Sequence, residues 1–242
     1  MGRSDSAKAP YLTPSIHYFH TSGLFIRSSL SYLTAQEQNR IDLYTLSAGY
    51  GLYRKRFAAG VSASAYFFDK SSYTVQAEMN TYLNAYAGYD FHLLLLYIDA
   101  SLGFSDDTDV FLGATISHSF YLCRDKLLIT PAVQINAGSQ HYYNEYYSQR
   151  SVATGTHKGK GKGTPQAHPV TDIHLQAYDK FQVLDYEATL LASYTVHKLR
   201  FFASCTLTLP LNPATVISQE AVYTEELKNS VYWSVGTRLK LP

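Results

Sequence analysis

The residues able to do acid–base or nucleophilic chemistry are thinly spread: nine histidines, 19 acids and two cysteines in 242 residues. The densest grouping suited to a general base is Asp106, Asp107 and Asp109 together with His141. A carboxylate that orients an imidazole lets its far nitrogen take a proton from water, so these four form a candidate rim site. The plainer reading is a solvated acidic turn. Ser117, His118 and Ser119 put hydroxyls beside an imidazole, but they stand next to a tight reversal, where an imidazole has an ordinary interfacial use. His157, His168 and His174 follow no ligand spacing, so no metal site is expected, and no cofactor is implied. Cys123 and Cys205 carry neither a disulfide framework nor a metal pattern. Lys158, Lys160 and Lys162 alternate with glycines, which suits contact with phosphates. The Gly-Lys-Ser/Thr ending of a nucleotide loop is missing, so nucleotide binding is rejected.

A second set of charges shares a different property. Arg27, Glu78, Asp99, Asp185, Glu187, Arg200 and Arg238 all fall on the polar side of segments whose other side is apolar. Alternation with period two marks each segment as a strand. In Phe57 to Phe67, Phe57, Ala59, Val61, Ala63, Ala65 and Phe67 oppose Gly60, Ser62, Ser64 and Tyr66. The pattern is sustained from Tyr73 to Tyr89, with Met79 and Leu83 on the apolar side and Glu78 opposite. It recurs over Leu94 to Phe104, Val110 to Leu122, Leu184 to Val196, Leu199 to Leu209 and Val231 to Leu241. Weaker versions cover Gly23 to Leu33, Ile41 to Tyr53 and Leu127 to Gln140, giving about ten strands. Most are longer than the five or six residues usual in globular sheets, roughly the length needed to cross a bilayer.

Composition fits two-faced strands. Only 16% of residues are charged and 14% are aromatic, 22 of them tyrosine. A mean hydropathy of −0.16 is what results when an apolar outer face is averaged with a polar inner one. No run is long and apolar enough for a spanning helix. A net charge of +1 gives no nucleic-acid footprint. Connections alternate in length. Tight reversals fall at Arg54 to Arg56, Tyr89 to His92, Cys123 to Lys126 and His197 to Lys198. Longer ones fall at Thr34 to Asn39, Asp69 to Ser72, Ser105 to Asp109, Tyr142 to Lys180 and Leu211 to Leu227.

This alternation, the turn parity and the closing strand Val231 to Leu241 resemble the small outer-membrane β-barrel proteins of Gram-negative bacteria, in a tyrosine-rich style like that of Bacteroidetes. The resemblance implies an all-β, closed, antiparallel up-and-down transmembrane barrel of about ten strands, porin-like in architecture. Residues 1–22 would be a polar periplasmic segment and 23–242 one barrel domain with a long extracellular loop at 142–180. Short turns and both termini would face the periplasm, and a signal peptide is presumed removed. The charges named above would form a lumen network of salt bridges. Expected partners are outer-membrane lipid, lipopolysaccharide at Lys158, Lys160 and Lys162, and other outer-membrane proteins. The leading expectation for function is a non-enzymatic scaffold or accessory subunit presenting loops. The alternatives are a narrow channel for small solutes, or a barrel protease or lipid hydrolase working at the rim.

Overall fold

The structure is a computed structural model that describes residues 10–34, 39–69, 79–105, 107–139, 141, 174–176, 180–213, 215–217, 222–224 and 227–241. Apart from His141, whose backbone is helical, every regular element among them is a strand. In chain order these are β1 (Tyr11–Leu12), β2 (Ser15–Phe19), β3 (Leu24–Leu33), β4 (Arg40–Tyr53), β5 (Phe57–Phe68), β6 (Thr81–Asp90), β7 (Leu95–Phe104) and β8 (Thr108–Ser117). There follow β9 (Phe120–Leu122), β10 (Leu127–Gly138), β11 (His174–Gln176), β12 (Gln182–Val196), β13 (Leu199–Pro210), β14 (Thr215–Ile217), β15 (Val222–Thr224) and β16 (Ser230–Leu239).

Thirteen strands make one antiparallel up-and-down sheet in the order β1-β3-β4-β5-β6-β7-β8-β10-β12-β13-β16, with β2 also on β3 and β9 also on β10. Ten of them are long, each of 10 to 15 residues, and match the ten segments of the alternation. The other three, β1, β2 and β9, are short. A separate sheet, β11-β14-β15, pairs the two longest loops with each other.

Tight reversals form where expected. Cys123, Arg124 and Asp125 all have positive φ (54°, 58° and 63°), as does His197 (53°), the handedness that matches hairpin turns to the twist of their strands. A further reversal, closed by Gly23 at φ 102° and a bond from its N–H to His20 O, was not apparent from sequence.

The solvent pattern is inverted relative to a water-soluble protein. On β5 the small and polar Ser62, Ser64 and Tyr66 are the covered side, while Val61 and Phe67 are exposed. Trp233, Val235 and Leu239 are exposed by 61% or more, whereas Asp185 and Thr208 are at 2% or less. The sheet also curls. Tyr66 on β5 and Glu187 on β12 line one cavity, although five strand steps separate them and a flat sheet would hold them about 24 Å apart.

Four expectations need correction. The polar segment expected at 1–22 is not separate from the sheet: β1 and β2 lie in register along β3, Tyr11 opposite Leu33 and Phe19 opposite Phe25. The chain therefore joins the sheet at its long-loop end. Pro10 and Pro14 cut the alternation into runs too short to recognise, while their carbonyls still accept from Thr34 and Leu30 N–H. Second, β6 begins only at Thr81, so alternation does not govern Met79. It is fully buried, its sulfur 3.6 Å from the Tyr82 hydroxyl, not lipid-facing. Third, Val110 to Leu122 breaks at His118 and Ser119. The carbonyl of Pro131 accepts from His118 N–H, but proline has no N–H to return, and the ladder lapses there. Fourth, register shifts at Ser31/Tyr32 and Asn136/Ala137 leave Asp42 and Leu184 as extra residues. Both are buried, Leu184 contrary to its place on the apolar stripe.

With β1 and β2 sharing one edge of β3, the path is eleven strands long, and ten antiparallel steps return the direction to that of the start. The two edge strands therefore run the same way. Among the described residues no backbone pairing joins β16 to β1 or β2.

Candidate functional site

The sheet carries three polar regions. The first is a cavity of about 290 Å³ at mid-sheet, walled by Tyr66, Tyr82, Asn84, Asp99, Gln134 and Glu187. Its polar groups are held in hydrogen bonds. Gln134 donates to Asn136 at 2.7 Å, and Asn136 donates to Asp185 at 2.6 Å. Ser101 donates to Asn84 at 2.8 Å. Glu187 accepts from Thr208 and Tyr232 hydroxyls, both at 3.4 Å. Rings cover bare backbone nearby: a Cβ on Gly60 would strike Tyr86, and one on Gly236 would strike Phe202.

The second region is the long-loop rim. The structure brings together two of the four rim candidates. Asp109, 0% exposed, takes hydrogen bonds at one oxygen from Ser139 Oγ (2.6 Å), His141 N–H (2.8 Å) and His141 Nδ1 (3.0 Å). A carboxylate so engaged fixes the imidazole and pins the start of the long loop. Asp107 stays outside this group, in an exposed turn where its carbonyl accepts from Ser105. Asp106 lies outside the described residues. A second rim knot joins Tyr11, Arg40, Asp42 and Asp69, with Tyr11 Oη donating to Asp42 at 2.6 Å and Arg40 Nε at 3.0 Å from the same carboxylate. It ties β1 to β4, and no sequence signal pointed to it.

The third region is the short-turn end of the sheet, which carries Arg27, Arg200 and Arg238. Of the seven charges expected to line a lumen, Asp185 and Glu187 are buried, Asp99 is half-buried, and Arg27, Arg200 and Arg238 are exposed; Glu78 is outside the described residues. Among the described residues no ion pair joins any of the six to one another. On β12, β13 and β16 the two signs are separated: Asp185 and Glu187 lie toward the long-loop end, paired opposite Pro210 and Thr208, and Arg200 and Arg238 lie opposite each other at the short-turn end.

The Ser117–His118–Ser119 grouping is dispersed. His118 Nδ1 bonds the Leu93 carbonyl, and Ser119 pairs with Thr130 at 3.0 Å. Both cysteines are free and exposed. Lys158, Lys160 and Lys162 lie outside the described residues. Among the described residues no three His, Cys, Asp or Glu side chains gather as a metal site requires. No protein-family model matches the chain, and no curated protein matches it.

Proposed function

We propose that the chain is a closed transmembrane β-barrel of the Gram-negative outer membrane, without enzymatic activity, serving as a scaffold or accessory subunit that holds long loops on one side of the bilayer. The observation that carries this reading is the inverted pattern, with large apolar side chains exposed on strand after strand while Ser64, Ser193, Thr206, Thr208, Asp185 and Glu187 are buried. In water such a surface would aggregate, whereas in lipid it is the stable arrangement. Closure is the finer part of the proposal, since unpaired strand edges are intolerable in hydrocarbon. Two edges running the same way would have to meet as a parallel pair. Loops built around Lys158, Lys160 and Lys162 would then face lipopolysaccharide and other outer-membrane proteins. The pinned loop roots at Asp42 and Asp109 suit a protein whose task is to present loops.

Membrane insertion is tested at the outward face. Ile98→Arg, at mid-strand on β7, is expected to cost about 2–4 kcal/mol in lipid vesicles and almost nothing if that face meets water. The single tryptophan, Trp233, should be quenched by brominated acyl chains. Extraction without detergent, together with an unquenched Trp233, would overturn the reading. The polar cavity favours a narrow solute path as a second reading, and planar-bilayer conductance checks it. The Asp109–His141 pair is the observation behind the rim-enzyme reading. Loss of hydrolysis on His141→Gln, in an assay of outer-membrane lipid or peptide, would support it, and an inert parent protein would remove it.

A further inference from the structure

Four basic side chains lie toward the short-turn end, two at each edge of the sheet. Arg27 on β3 is paired opposite His17 on β2, and Arg200 on β13 is paired opposite Arg238 on β16. Closure of the sheet, as proposed above, would bring these two pairs together into one row. Like charges directly opposite in a sheet repel. Among the described residues no carboxylate stands within ion-pair distance of any of these arginines.

Their contacts are neutral and leave donors over. The Arg27 guanidinium lies 4.6 Å from the centre of the Phe25 ring and 5.4 Å from that of Phe19, an arrangement that leaves its N–H edge available. Arg200 uses Nε toward Thr195 Oγ1 at 3.3 Å, which leaves its two terminal nitrogens. Planar guanidiniums with spare N–H groups match the oxygens of a phosphate, with two donors to each bound edge. The adjoining turns add exposed Arg54, Lys55, Lys126 and Lys198 against Asp90 and Asp125, a field that concentrates anions at this end.

We propose that Arg27, Arg200 and Arg238, with His17 beside them, form a phosphate-binding site spanning the seam between the first and last strands. A phosphate held there neutralises the Arg200–Arg238 repulsion and clamps β2–β3 to β13–β16, so occupancy and closure are coupled. The group can be free phosphate or the headgroup phosphate of a lipid from the adjacent leaflet. The inference rests on the barrel reading for the seam. Failure of that reading is seen first and separately, as a protein that stays in solution without detergent.

The test is thermal unfolding of the full chain in neutral detergent, in sodium phosphate against sodium chloride at equal ionic strength. A second arm compares micelles doped with phosphatidylglycerol and with diacylglycerol, which lacks the phosphate. Phosphate, phosphatidylglycerol or both should raise the Tm by several degrees over their controls. A response to inorganic phosphate identifies the free ion as a ligand, and a response to phosphatidylglycerol alone identifies the headgroup. The double variant Arg200→Gln, Arg238→Gln should lose the increment while unfolding at a higher temperature than the parent in chloride, because the repulsion is gone. Arg27→Gln, away from that pair, should shrink the increment without this gain, and so decides the matter if the double variant misfolds. Equal Tm in all four media, or an increment that survives both variants, overturns the proposal.

Discussion

The long-loop rim and the short-turn mouth place charge in opposite ways. At the rim, Asp42 and Asp109 are almost fully buried, and each is satisfied by neighbours at 2.6 to 3.0 Å. At the mouth, Arg27, Arg200 and Arg238 are exposed, and two of them face each other. A buried and fully engaged charge is part of the fold, because removing it strands its donors. An exposed charge set against its own kind stabilises nothing until a ligand arrives. The rim therefore holds structural charge and the mouth holds charge available for binding.

The contrast can be broken most directly at the rim. Asp109→Ala leaves Ser139 Oγ and both His141 donors without their acceptor and is expected to cost about 3 kcal/mol, measured by chemical unfolding in detergent micelles. A cost near zero would place Asp109 in water and erase the distinction. Tyr11→Phe removes a single bond to Asp42 and should cost about 1 kcal/mol. Because that bond holds β1, proteolysis near the N-terminus should quicken as well, and unchanged cleavage would show that β1 is held by the ladder alone. The smallest effect carries the opposite sign. Arg238→Gln relieves repulsion and should stabilise by a few tenths of a kcal/mol at low salt, vanishing at high salt as the charges are screened. Destabilisation there would mean that Arg238 has a structural partner like those at the rim.

Much of the sheet is legible in the residues themselves. On β5, β7, β8, β13 and β16 the apolar alternate positions are the outward ones, because side chains on a strand leave opposite faces with a period of two and that rule needs no tertiary information. The tight reversal at His197 and Lys198 was equally readable, since only a short turn fits between two strands of opposed alternation. The rim is half legible: Asp109 and His141, far apart in sequence, lie within hydrogen-bond distance. Nothing in the sequence separates Asp107 from them, because sequence proximity does not tell which side of a turn a carboxylate takes.

What sequence determined by itself, then, is the ten long strands, their two faces and the side on which most of them carry their charges, since all three follow from local periodicity. Other features depended on contacts between distant segments. Asp42 shares parity with Tyr44 and Leu46 and by alternation alone belongs on the apolar face. An extra residue in β4 opposite Ser31 and Tyr32 turns it into the rim knot with Tyr11, and a bulge depends on the partner strand. Tyr11 and Ile16 join the sheet only because β3 offers an edge to pair with. The separation of Arg200 and Arg238 from Asp185 and Glu187 depends on which strands stand side by side, so it emerged only once Arg200 was seen opposite Arg238. Pairing register is a property of two segments at once, and periodicity within one segment carries no information about it.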